Sequence, residues 1–348
     1  MPTTEQGLKL GEATVAPNSK EIVEFPITTG LNGAEIKLVV HALVGAKPGP
    51  VLCLTNTIHG GEWYAMEPLR RLRNDLDTSS LAGAVLILPV VNPAAFALDV
   101  RNVPDQVDSP DMNRIFPGPL TSAGDQIIAT LTNEVLAKSD ALIDFHMGPK
   151  GSAFTDALTG SDLPGDLSQR CLDLALAFGS PIVRHAPMIG GFPGPKSSKP
   201  YAATAFGIPG FGGEVGGAGF GPTLDQEWHQ RTYDGIHGVM GELGMIELAE
   251  SKRPERQLVY KNAHRINPRV GGILKPLISG AEMGREVSKG TVLGHIVSPY
   301  TGEVLEELAA PADGLVYYVG REHPVYPGGW AFGLSQLDEE ARWVVDRV

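Results

Sequence analysis

Two short stretches carry residue types that together can hold a metal ion. In N-T-I-H-G-G-E-W-Y, His59 and Glu62 stand three residues apart just past an apolar run. In the first turn of a helix, positions i and i+3 project to one side. Neutral imidazole with a carboxylate suits Zn²⁺ with one coordination position left open for water, and Gly60 and Gly61 let the backbone approach closely. The plainer alternative makes Glu62 a complement to a positive helix end and His59 a polar loop residue. A third ligand is offered by D-A-L-I-D-F-H-M-G, where His146 ends an apolar strand. Asp144, two residues earlier, shares its strand face and is placed to orient a ligating imidazole. Alone, His146 reads better as a buried histidine with a satisfied partner; beside H-x-x-E it reads as a ligand, with one Zn²⁺ per chain as the expected cofactor.

Such residues need a scaffold. Stretches 21–28 and 34–43 predict strands joined by the turn G-L-N-G. The runs at 51–56, 84–91 and 140–146 predict buried strands, separated by helical patterns at 63–76 and 123–138. Further helices are expected at 166–178 and about 225–249, with strand-like P-I-V-R-H and F-G-I-P-G-F-G-G-E-V between them. Near-continuous apolar strands alternating with helices indicate an α/β sheet covered on both faces, and ligands collect at loops on the carboxyl ends of such strands. Beyond about residue 255 the texture changes to short strands and glycine turns. The expected organisation is a catalytic domain at 1–255 and a small β-sandwich or barrel at 256–348.

With 348 residues, 42% hydrophobic, the chain has material for a large core. Its net charge of −12, without a basic stripe, argues against nucleic acid or an anionic membrane as partner. The two cysteines, Cys53 and Cys171, lie in apolar patterns and read as core residues. The start of the chain lacks a basic and then apolar leader pattern, and no apolar run approaches membrane-spanning length, so a cytoplasmic protein is expected. His41, His185, His229, His237, His264, His295 and His323 lack ligand spacing. The glycine- and proline-rich stretch 190–200 predicts a loop, either a lid or an exposed connection.

Four ordered motifs, H-G-G-E, D-M-N-R followed by I-F-P-G, I-D-F-H and G-E-V-G, resemble the succinylglutamate desuccinylase and aspartoacylase family, a branch of the zinc carboxypeptidase clan. The resemblance covers roughly 50–330, and it implies a zinc-carboxypeptidase-like mixed sheet flanked by helices. It implies His59, Glu62 and His146 as zinc ligands and Glu214 as the catalytic carboxylate. Asn113 and Arg114 match the element that grips the substrate carboxylate, and Arg101 looks like the arginine that polarises the scissile carbonyl. The chain departs from the pattern in Met112, which stands for leucine, and in a longer stretch between Arg101 and Asn113.

What the resemblance implies is hydrolysis of a small N-acyl amino acid, a deacetylase or desuccinylase reaction of amino-acid metabolism. Metal-activated water attacks the amide, and Glu214 moves the proton as general base and then acid. Two alternatives stand beside it. A metallocarboxypeptidase acting on peptides needs an open cleft, which residues 260–335 would narrow. A non-catalytic carrier is suggested by the glycine-rich strands at 270–320, but these lack a lysine turn for biotin or lipoate. A homo-oligomer is expected for an enzyme of this size.

Overall fold

The computed structural model describes residues 6–30, 32–102, 111–148, 152–217, 219–248 and 252–345. Alternation along the strands decides its layers. Successive side chains of a strand point to opposite faces. In Lys47–Thr55, Leu52 and Leu54 enter one core while Val51 and Cys53 enter another. In Ala82–Leu88, Val85 and Ile87 join the first, and Ala84, Leu86 and Leu88 the second. Apolar on both faces, these strands need helices on both. Met66–Asp75, Leu167–Phe178 and Pro222–Glu242 cover the first core through Leu69, Leu172 and Ile236. Ala123–Thr130 and Ser198–Phe206 cover the second through Ile127 and Ala202.

The main sheet has 14 strands among the described residues. From its edge the order is Ser19–Thr29, Glu35–Val44, Ala82–Leu88, Lys47–Thr55, Ala141–His146, Gly210–Gly216 and Ser152–Gly160. The four strands from Ala82–Leu88 to Gly210–Gly216 are parallel, and Ser152–Gly160 is antiparallel to the last of them. Ser152–Gly160 then forks. Its first residues pair with Gly314–Gly320 and its last with Ile182–Ala186, which pairs in turn with Arg256–Tyr260. The C-terminal segment is therefore bonded into the main sheet. Its remaining strands Gly272–Pro276, Val292–Val297, Val304–Ala309 and His323–Val325 form a separate sheet. That sheet packs on the extension strands through Leu274, Ile296, Val316 and Phe332, which gives the expected small β-sandwich.

Several local expectations change. The helical stretch at 123–138 is an α-helix only to Thr130, then widens to a π turn over Leu131–Val135 and tightens to a 3₁₀ turn over Leu136–Lys138. The strand Ser152–Gly160 was not foreseen, because T-D-A-L-T-G lacks a long branched run; its position between two sheet neighbours imposes the extended form. Stretch 190–200 is not all loop, since the helix starts at Ser198. Cys53 and Cys171 are free and buried, and burial pushes their thiols up to about 12 and about 11. No helix among the described residues is long and apolar enough to cross a membrane.

Candidate metal centre and active site

Lys47–Thr55 delivers the chain to a tight loop. His59 and Glu62 meet through a turn, with the Glu62 amide donating to the His59 carbonyl at 2.9 Å. The helix begins only at Met66, so a turn and not a first helical turn brings the two side chains together. Gly60 explains how the loop fits: a Cβ there would lie 2.0 Å from the Ala95 carbonyl carbon. The amides of Gly60 and Gly61 donate to the carbonyls of Arg101 and Val100 at 3.3 and 2.8 Å, which ties Arg101 to this loop.

His146 ends the Ala141–His146 strand, and its Nδ1 lies 2.7 Å from Glu62 Oε2. The same carboxylate oxygen is 2.9 Å from His59 Nδ1. These three donors all lie within 4.8 Å of one another. Four-coordinate zinc with bonds of about 2.1 Å spaces its ligand atoms about 3.4 Å apart, so the set fits such an ion after a small outward shift. The far side of each imidazole is also held. His59 Nε2 meets Asp111 Oδ1 at 2.9 Å, and His146 Nε2 meets Asp144 Oδ2 at 3.0 Å. A carboxylate behind each ring fixes its orientation and raises its basicity.

Asp144 is fully buried and accepts from Thr55 Oγ1, Asn113 Nδ2 and Ser198 Oγ, with Lys199 Nζ at 3.6 Å. Asn113 Oδ1 accepts from the Ser198 amide at 2.8 Å. Asn113 thus lines the cavity while its amide locks two loops to the central strand. Arg101 spans the His59–Glu62–His146 cluster from outside, donating to Glu62 Oε1 at 2.9 Å and to Asp111 Oδ2 at 2.8 Å. Arg114 donates to Ser197 Oγ and stands over the Phe192 ring at 5.1 Å. The intervening residues 103–110, where the chain is longer than the family pattern, lie outside the described residues.

Charge follows from this packing. Burial pushes Glu62 up, but the two imidazoles outweigh it and hold the carboxyl at about 2. Burial opposes charge on His146, yet Asp144 and Glu62 on either side push it up to about 10. Asp111 and Asp144 are desolvated too, and the histidines beside them hold both below the usual carboxylate range. A concentrated negative pocket that protonates its own histidine is one that a divalent cation can enter by displacing a proton.

Glu214 lies level with His146 in the parallel pairing of Gly210–Gly216 with Ala141–His146. On its other side it lies level with Asp156 of Ser152–Gly160. His146, Glu214 and Asp156 thus form a row across three adjacent strands, on one face. Burial raises Glu214, with His146 opposing. All the sequence-derived site residues except Asp144 line one cavity of about 510 Å³. Asp156, Arg184, Lys199, Arg265, Tyr317 and Trp330 line it as well, and sequence reasoning missed them. Nothing in their local sequence marks them; Lys199 in K-S-S-K-P reads as solvent-exposed but is buried.

Residues 48–243, more than half of the chain, match the family description Succinylglutamate desuccinylase/Aspartoacylase catalytic domain. The chain belongs to the succinylglutamate desuccinylase/aspartoacylase family. Family membership makes it an amide hydrolase. It is similar to the N-alpha-acetyl-L-2,4-diaminobutyric acid deacetylase of Halomonas elongata, with 24% identity over 307 residues and 84% of each chain covered. A succinylglutamate desuccinylase/aspartoacylase structure from Rhodobacter sphaeroides shares the fold at TM-score 0.75 and 23% identity, covering 91% of this chain and 95% of that one. The product-bound ectoine utilization protein EutE (DoeB) of Ruegeria pomeroyi matches at TM-score 0.79 and 19% identity, over 96% and 100% of the two chains.

Proposed function

We propose that this family member is a zinc-dependent hydrolase of the amide bond of small N-acyl amino acids, with the ion held by His59, Glu62 and His146. One observation carries this above all: three convergent donors and Glu214 share the wall of one cavity. Bound there, zinc supplies Lewis acidity that lowers the pKa of a water from about 16 to about 7 and polarises a carbonyl. Glu214, raised by burial and one strand from His146, takes the proton of the attacking water and delivers it to the leaving nitrogen. Arg101 donates to the carbonyl oxygen as charge develops on it. Arg114, held by Ser197 and Phe192, pairs with the substrate carboxylate.

Cavity size supports a small substrate. Ala263, Arg265, Tyr317 and Trp330 from the C-terminal segment wall it in, which disfavours a peptide running through. Its volume of about 510 Å³ is in the range of small-molecule sites. The name of the Halomonas relative, an N-acetyl diamino acid deacetylase, supports an acyl group as small as acetyl. The test is elemental analysis of the wild type and His59→Ala, with deacylation assayed on N-acetyl and N-succinyl amino acids. About one zinc per chain, lost in the variant together with activity, is the expected outcome. A metal-free wild type that stays inactive after zinc is added would overturn the proposal.

A further inference from the structure

One charged side chain in the cavity wall has no part in the proposed mechanism. Lys199 is 5% exposed and lines the cavity. It is the second residue of the Ser198–Phe206 helix and directly follows the two serines that hold Arg114 and Asn113. The end of its side chain lies over Gly212 in the strand Gly210–Gly216, where a Cβ would come within 2.7 Å of Nζ. Glycine at 212 therefore makes room for the ammonium. Asp144, level with Gly212 on the neighbouring strand, bounds the ammonium on one side, with Oδ2 at 3.6 Å.

An ammonium carries three donors and no acceptor. Those of Lys199 meet no hydrogen-bond acceptor among the described residues, because the carboxylate oxygen nearest to Nζ is already taken: Asp144 Oδ2 faces Asn113 Nδ2, Ser198 Oγ and His146 Nε2. Glu214 stands two residues beyond Gly212 on the same strand face, about 7 Å further along at the usual rise of a strand, and makes no ion pair with Lys199 among the described residues. Unlike Arg184 Nε, which has essentially no accessible surface, Nζ is open to the cavity that Lys199 lines. A charge withdrawn from water without a hydrogen-bonded partner is costly, so an anionic group that enters the cavity gains by meeting it.

The position says which anion. Asn113 Nδ2 and Lys199 Nζ lie 3.2 and 3.6 Å from one Asp144 oxygen and are therefore neighbours. Asn113 runs straight into Arg114, whose guanidinium is fixed on Ser197, two residues before Lys199. Residues 197–199 thus gather an amide, a guanidinium and an ammonium on one stretch of cavity wall. A carboxylate presents two acceptor oxygens, which a guanidinium and an ammonium can share.

We infer that Lys199 is a substrate-binding residue, the second cation of a carboxylate subsite that it forms with Arg114. Its ammonium takes one oxygen of the amino-acid carboxylate, and Arg114 takes the other. For the identity of the substrate this rests on the deacylase proposal; the binding contact stands by itself.

The test compares zinc-loaded wild type, Lys199→Met and Gly212→Ala, by calorimetry with L-alanine and L-alaninamide, which differ in the carboxylate alone, and by kcat/KM for their N-acetyl derivatives. The wild type should favour the carboxylate. Lys199→Met should narrow that preference roughly 10- to 100-fold, as expected for a charge-assisted hydrogen bond, with the loss falling on Kd and KM more than on kcat. Gly212→Ala keeps the charge but displaces Nζ, so it should narrow the preference in the same direction, and it serves if the lysine variant does not fold. A preference retained in both variants would overturn the inference while leaving Arg114 as the carboxylate ligand. Equal weakening of acid and amide, or zinc lost from the variants, would overturn it as well, since either marks a structural role. A wild type with no preference would overturn both the inference and the role given to Arg114. Discrimination in binding with hydrolysis of neither derivative would support the subsite and count against the deacylase proposal instead.

Discussion

The two ends of one cavity are built on opposite terms. At the metal end every imidazole nitrogen of His59 and His146 has a carboxylate within about 3 Å, and Arg101 and Asn113 hold those carboxylates in turn. At the Asp156 end, a carboxylate oxygen and a guanidinium nitrogen are buried with no hydrogen-bond partner among the described residues. The first end is complete without substrate, since each imidazole already faces a carboxylate on both sides. The second end leaves Asp156 Oδ1 and Arg184 Nε without side-chain partners among the described residues. The difference sets groups fixed in advance for chemistry beside buried groups left partly unpaired.

Glu214 stands between the two ends, and its loss should show the largest effect among substitutions that spare the metal. Glu214→Gln should lower kcat by about 10²- to 10⁴-fold while the bound zinc, read by elemental analysis, stays unchanged. Zinc lost together with activity would place Glu214 among the ligands and break the division.

A middle-sized effect tests the completeness of the metal end. Asp111→Asn removes the carboxylate behind His59 at a partly exposed position, and zinc affinity, measured by chelator competition, should fall about 10- to 100-fold. An unchanged affinity would mean that Asp111 merely caps the Met112–Arg114 turn through the Asn113 amide.

The smallest effect concerns the incomplete end. Burial pushes the Asp156 carboxyl up to about 8, above the ordinary value of about 4, which favours its protonated form in the fold between those values. A carboxyl raised in this way contributes stability that is present at low pH and lost as pH rises towards about 8. Its neighbours Tyr260, Arg184, Glu214 and Tyr317 remain in the variant. Melting temperature of the wild type relative to Asp156→Asn should therefore decline across that window. Parallel pH profiles would show that Asp156 carries no burial penalty.

Much of this chain was legible in residue order, for identifiable reasons. Strands such as Ala82–Leu88 are apolar on both faces and so announce a doubly covered sheet, and a ligand pair like His59 and Glu62 is local enough to be seen as a spacing. Even there, the turn that joins the pair was mistaken for helix, because i and i+3 neighbours occur in both. The partners of the imidazoles are another matter. Asp111 reaches His59 across 52 residues, and Asn113 reaches Asp144 across 31. Such distances are bridged only by loops converging on one sheet edge.

Asp156 shows the limit most clearly. Its strand was not foreseen, and its burial between Glu214 and Tyr260 is a property that no residue has until every neighbour is in place. Residue types and periodicity determined that this is a covered α/β sheet bearing a His-Glu-His set. The register of Ser152–Gly160 against Gly210–Gly216, and the C-terminal strands closing over both, decided where a substrate's charges can go, because burial and pairing are properties of the packed chain.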